Sequence, residues 1–233
     1  MATDPSLSAA TEKDAAAIAA LFVQSWASSR LISFTQLQYG TLDHISLATE
    51  MNSRLEKLMK TENVRFVTIR DPSTNEVVAV AQWTLPSQDT NESEQETQEE
   101  KDERQRFEDE IRRNGLPESS NKDLIMDFST GLRELCERVV EGRKYFRLEN
   151  IVTHPDHRGR GLATKLIKWP FTEADTQNAL IYLETASDNP AKRLYEKLGF
   201  EEKGYFAIPD LSKYGGEGSQ THLALIRYPN TAA

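Results

Sequence analysis

The chain has 233 residues, 38% of them hydrophobic and 28% charged, with a formal net charge of −9 at pH 7. That length suits one large domain or two small ones, and that balance suits a globular protein in water. The acidity argues against broad binding to nucleic acid or an anionic membrane face, and no apolar run approaches the roughly 20 residues that span a bilayer.

The opening MATDPSLSAATEKD lacks the basic and apolar regions of a secretory signal. The single cysteine, Cys136, has no internal disulfide partner, which points to a reducing compartment. A cytoplasmic location is expected, with the nucleus left open. Residues 1–10 read as a flexible N-terminus. Thr11 is a plausible N-cap with Asp14 three positions on, and Ile18, Leu21, Phe22 and Trp26 fall on one face of the helix that follows. A second amphipathic helix fits 43–60. VRFVTIR (64–70) and VVAVAQWTL (77–85) flank the turn-forming DPSTNE and read as a hairpin.

Residues 87–120 are polar and highly charged, with ten acidic and five basic side chains within 91–113. This stretch reads as a solvated helix between loops or as partly disordered chain, and mobility is expected over 87–118. A third helix fits 121–141, with Leu124, Phe128, Leu132, Leu135 and Val139 on one stripe and Cys136 beside it as a small buried hydrophobe. Strands fit 145–153 and 179–186, on either side of a Gly-rich turn and a helix over 161–175. A helix fits 189–198, and two more strands fit 201–208 and 222–228. The order is a mixed α/β (α+β) layout.

The densest signal is NIVTHPDHRGRGLATKLI (150–167). A strand ends near Val152, His-Pro-Asp-His turns, and Arg158-Gly-Arg-Gly-Leu-Ala opens a helix. Unpaired backbone N–H groups at a helix start, glycines that let a ligand approach the backbone, and two arginines together suit a pyrophosphate. The P-loop would need Gly-Lys-Ser/Thr where Ala163-Thr164-Lys165 stands, and the dinucleotide fingerprint would need Gly in place of Thr164. An ordinary glycine-containing turn is the competing reading. His154, Asp156 and His157 lack the spacing and companions of a metal shell, so no metal is expected.

These residues resemble the GNAT acetyltransferase superfamily. Its cofactor loop, Arg/Gln-x-x-Gly-x-Gly/Ala, is matched by Arg158, Gly161 and Ala163, with Val152 and Pro155 as the common lead-in. NPAKRLYEKLGF (189–200) resembles the family's second motif, which ends Leu-Tyr-x-x-x-Gly-Phe. Both occur in order, separated by one helix and one strand, and the paired match covers 145–205. The layout as a whole resembles GNAT-like proteins of fungi.

The resemblance implies one GNAT-like domain over 11–229. It would have a mixed central sheet with splayed central strands, flanking helices, and a charged, helical insert at 87–141. It implies acetyl-CoA as co-substrate. Pantetheine would pair with the backbone of Ile151, Val152 and Thr153. The pyrophosphate would sit on Arg158, Gly159, Arg160, Gly161, Leu162, Ala163 and Thr164, and Asn189 would touch the cofactor. Tyr195 takes the role of proton donor to the leaving thiolate. Glu149 is the candidate base, since residues 147, 149 and 151 share one strand face; a simple edge charge is its alternative, and Glu184 is a weaker candidate. The function implied is acetyl transfer to a primary amine of a small molecule or peptide, without nucleic acid or membrane partners and with homodimerisation left open. The alternatives are a catalytically weak acyl-CoA-binding module and a protein or histone acetyltransferase.

Overall fold

The computed structural model describes residues 6–28, 32–40, 44–86 and 97–230. Thr11 sets the entry into the first helix. Its backbone N–H and hydroxyl both donate to Asp14 Oδ2, at 2.8 and 3.0 Å, and Asp14 also accepts from Arg70 at 2.6 Å. Helix α1 (Ala15–Ser28) buries Ile18, Leu21 and Phe22 as its spacing predicts; the side chain of Trp26 lies outside the described residues. Helix α2 (Ile32–Tyr39) is not foreseen by the sequence, because ISFTQLQY shows no periodic apolar stripe. Helix α3 (His44–Leu58) follows the predicted 43–60 closely.

Seven strands form one sheet in the order β1 (Leu7–Ala9), β2 (Val64–Arg70), β3 (Val77–Thr84), β4 (Tyr145–Thr153), β5 (Leu180–Ala186), β7 (Gln220–Arg227) and β6 (Glu201–Ile208). Only the β4–β5 pairing is parallel. Strand β1 corrects the expectation of a wholly loose N-terminus. Leu7–Ala9 pair with Val67–Ile69, and the Ser8 and Thr68 hydroxyls bond at 3.0 Å. Three residues are too short to show a period, so the strand owes its existence to the edge it joins.

Side chains alternate between two apolar layers. On one face Trp83, Phe146, Leu148 and Leu183 pack against Leu162, Leu166 and Ile167 of α6 (Leu162–Lys168), with α7 (Phe171–Thr176) and α8 (Lys192–Lys197) beside it. On the other, α1 and α3 cover β2 to β4, while Leu135, Cys136 and Val140 of α5 (Lys122–Val140) cover Leu180, Tyr182, Ala224 and Ile226. The single helix expected over 161–175 is two. Pro170 cannot donate to the helical ladder, so α6 ends at Lys168 and a new turn starts where Ala174 N–H donates to Pro170 O at 2.8 Å.

The insert also divides. Residues 87–96 lie outside the described residues. Helix α4 (Gln98–Asn114) is capped by Thr97 and Glu100 and tied to α5 by the bidentate Arg133–Asp109 pair at 2.9 and 3.1 Å. Helix α5 is part of the core. Its Gly131 admits the ring of Phe206, and a Cβ there would lie 2.1 Å from that ring. Gly131→Ala should therefore destabilise the fold by about 1–3 kcal/mol through overpacking, although alanine alone favours a helix by about 1 kcal/mol. Urea unfolding measures the balance. A variant as stable as the wild type would show that Phe206 moves aside freely.

Candidate active site

The site begins where β4 and β5 part. Their parallel register runs from Tyr145 opposite Leu180 to Leu148 opposite Leu183 and then stops. Strand β4 continues to Thr153 against β3, while Glu184–Ala186 pair only with β7. Backbone groups of residues 149–153 that face the gap have no strand partner, and buried backbone groups demand one. A cleft of about 770 Å³ occupies the fork.

A β-bulge shapes the fork's edge. Leu148 opposes Trp83 and Asn150 opposes Gln82, leaving Glu149 as the extra residue. The bulge reverses the alternation beyond it. Arg147 and Glu149 share a face as expected, but Ile151 packs with the Trp83 layer on the other side, which corrects the predicted 147-149-151 face. Asn150 stays with Gln82, donating to its Oε1 at 2.9 Å.

Around the bulge lies a buried polar network. Arg147 Nη2 donates to Glu184 Oε1 at 3.0 Å, and Tyr182 OH donates to the same oxygen at 2.8 Å. Glu149 accepts from Thr84 Oγ1 at 2.8 Å, and its other oxygen lies 3.5 Å from Arg147 Nε. That Nε is buried without a hydrogen bond. Burial works against the Arg147 charge, but Glu184 and Glu149 outweigh it and keep the guanidinium protonated. Burial also pushes the Glu184 carboxyl above the ordinary carboxylate range, against the pull of Arg147 and Tyr182. Glu149 remains about a quarter exposed, whereas the Glu184 side chain is only 8% exposed.

The Gly-rich turn closes the other end of the cleft. Gly159 and Gly161 have φ of +73° and +76°, a left-handed conformation that L side chains adopt only under strain, and beyond the adjoining residues no atom of the described residues lies within 4 Å of where either Cβ would stand. Gly161 is the N-cap of α6, and Leu162 anchors that helix in the core. Arg158 and Ala163 line the cleft with Ile151, Val152 and Thr153, and Thr164 follows on α6. Arg158 Nε donates to Thr153 O at 3.3 Å, and Arg160 bonds the turn itself through Asp156 O at 3.0 Å.

Tyr195 and Asn189 reach the same cleft. Tyr195 is 5% exposed and its hydroxyl bonds no protein group among the described residues; burial pushes it up to about 12. Asn189 is engaged locally, donating to Thr185 Oγ1 at 2.9 Å and accepting from Ala191 N–H at 3.0 Å, so it shapes the turn between β5 and α8. His154 and His157 meet edge-on, ring centroids 5.7 Å apart, on the turn. No group of three or more metal-ligating side chains occurs among the described residues.

A family model described as an acetyltransferase (GNAT) domain matches residues 131–202. Solved structures share the fold well beyond that segment. The arylalkylamine N-acetyltransferase 2 of Aedes aegypti aligns with a TM-score of 0.66 at 14% identity, covering 98% of this chain and 100% of that one. The polyamine N-acetyltransferase of Drosophila melanogaster gives 0.62 at 11%, covering 97% and 100%. A Corynebacterium glutamicum protein described as a histone acetyltransferase and related acetyltransferase gives 0.57 at 18%, covering 99% of each chain. No curated protein matches the sequence.

The far wall of this cleft escapes sequence reasoning. Phe34, Gln38 and Tyr39 come from α2, Phe128 and Leu132 from α5, and His222 from β7. Only Phe128 and Leu132 carry a readable signal, and that signal is core periodicity. Arg147 and Tyr182 are likewise unmarked, each being one residue of an ordinary strand. The His222 ring meets Phe128 edge-on at 4.8 Å, and burial pushes its imidazole down to about 4, with Asp188 opposing weakly.

This shift has a sign in stability. Above the ordinary value of 6.5 both folded and unfolded chains hold a neutral ring; as pH falls from 6.5 to about 4, the unfolded chain takes a proton that the folded one refuses. Stability is lost across that window, on the order of 3 kcal/mol from this ring. His222→Gln should flatten the loss in denaturant titrations at stepped pH. Parallel wild-type and variant curves would show that the ring titrates normally in the fold.

Proposed function

We propose that the protein is an N-acetyltransferase that passes an acetyl group from acetyl-CoA to a primary amine of a small molecule or peptide by direct attack. One observation carries the reading: a single cleft at the β4–β5 fork is lined by Arg158 of the glycine-rich turn, by Tyr195 and by the carboxylates Glu149 and Glu184. The relatives named for arylalkylamine and polyamine acetylation support an amine acceptor. The residues present fit the co-substrate. The unpaired β4 edge suits the amides of pantetheine, and the open space over Gly159 and Gly161 suits a pyrophosphate near Arg158.

Acetyl-CoA supplies an activated thioester carbonyl. This chain's residues supply the proton handling. Glu149, on the bulge and partly exposed, takes the proton that the attacking amine sheds, directly or through water. Tyr195 donates to the departing thiolate; with its hydroxyl near 12 it is protonated at every physiological pH, as a resting acid must be.

Gly161→Val places a branched side chain at a φ of +76° and in the space assigned to the pyrophosphate. Calorimetry should show CoA affinity reduced by about 10-fold or more, with the far-ultraviolet circular dichroism of the wild type retained. Unchanged affinity in the folded variant would move the phosphate site elsewhere.

Tyr195→Phe and Glu149→Gln separately test the proton steps. Each should lower kcat by roughly 10²- to 10⁴-fold while CoA affinity stays within about twofold. Loss confined to KM would reassign the residue to binding. Wild-type turnover in either variant, with chemistry rate-limiting, rules out its role.

A further inference from the structure

The acceptor end of the cleft carries a distinction among amines that the proposed reaction leaves open. Its wall is Phe34 and Tyr39 of α2 with Phe128 and Leu132 of α5. Phe34 meets Phe128 edge-on with ring centroids 5.0 Å apart, and Phe128 meets His222 at 4.8 Å, so these rings pack continuously, with the more exposed Phe128 presenting most of the aromatic face and Phe34, 8% exposed, backing it. Among the described lining residues the carboxylates are Glu149 and Glu184, both on the sheet at the fork, and both already flank Arg147. The described lining residues of α1, α2, α5 and β7 include no carboxylate.

We infer that the acceptor is a monoamine on an aromatic body, its amino group at the fork beside Glu149 and its ring against Phe34 and Phe128. This rests on the acetyl-transfer reading above and narrows it. A ring on this wall gains both apolar burial and edge-to-face contact. The second cation of a polyamine would instead be set against Phe34, Phe128 and Leu132. Desolvating an ammonium without a partner is costly. The described lining residues beside this wall include no carboxylate, and Asp188, the acid nearest His222, is exposed and not among them. His222 cannot take that place either: its ring, neutral at neutral pH, meets Phe128 edge-on and lies 3.4 Å from Gln220 Nε2. A lysine side chain presented by a peptide lacks the ring this surface matches.

The test is a panel of initial rates with the full chain and saturating acetyl-CoA, following free thiol. The amines are 2-phenylethylamine, tryptamine, spermidine, agmatine and a lysine-containing peptide. The aromatic monoamines should exceed the two polycations and the peptide in kcat/KM by about 10-fold or more, mainly through KM. Phe128→Leu should shrink that preference at least about fivefold. Should this variant fail to fold, the wild-type panel decides alone. Equal or better use of spermidine, agmatine or the peptide overturns this inference and leaves acetyl transfer to amines standing. A preference unmoved in folded Phe128→Leu also overturns it, since the wall would not be reading the ring. If no amine is acetylated while CoA still binds, both this inference and the acetyl-transfer reading fall, and an acyl-CoA-binding module remains.

Discussion

Everything the site offers depends on β4 and β5 staying paired up to Leu148 and Leu183 and no further. A sheet that forks is under pressure to close or to tear, because every unpaired strand group costs hydrogen-bond energy. The Arg147–Glu184 ion pair straddles the last paired rung, Leu148 opposite Leu183, and crosses from one strand to the other. Tyr182 bonds the same carboxylate from within β5. Removing one member of such a buried pair costs on the order of 3–5 kcal/mol, because the other is left charged and desolvated. The pair is a tether as well as a charge. Packing reinforces it on both faces, with Leu135, Cys136 and Val140 of α5 below and Trp83, Phe146 and Leu183 above.

The bulge at Glu149 does the opposite work on the same strand. A regular β4 would put Asn150 on the face of Leu148 and turn Ile151 toward α1. The extra residue instead keeps Glu149 and Asn150 on one face, so a carboxylate and an amide both serve the fork, and returns Ile151 to the Trp83 layer and Val152 to the α1 layer. One inserted residue thus separates the tethering part of β4, which ends with Arg147 and Leu148, from the part left unpaired on its β5 side, Ile151 to Thr153. The unsatisfied Nε of Arg147 lies at that junction, where regular pairing stops.

The parts legible in the sequence are those whose chemistry is local. Gly159 and Gly161 announce unusual backbone conformations by residue type alone, and both have positive φ. The apolar stripe of α5 fixes its buried face because helical spacing depends on nothing beyond the helix. What stays hidden depends on partners far along the chain. Strand β1 exists because β2 offers an edge, and Glu149 is the extra residue only because β3 pairs on both sides of it. Likewise α2 carries no stripe of its own, yet Phe34 joins a cluster with Leu124, Ile208 and Leu211. The insert shows both cases. The charge of α4 is plain to read, whereas the role of α5 as a wall rests on contacts such as Gly131 with Phe206 and Asn121 with Tyr214 O at 2.8 Å.

The cleft lining is electrically uneven, although the chain as a whole is acidic. At the glycine turn, Arg158, Arg160 and the exposed N–H groups that start α6 all present positive charge, while Asp156 and Asp71 are held close to His154 and His157 instead. At the fork, one guanidinium is shared by two carboxylates, so that end can carry an excess of one negative charge. The net charge of −9 averages over a charge-rich α4 that lies outside the cleft lining, and local fields at short range outweigh such averages once screening by salt is counted. One cleft lining thus holds both the cation of Arg158 and a pair of carboxylates, and Tyr195, 5% exposed, adds a neutral hydroxyl to the same lining.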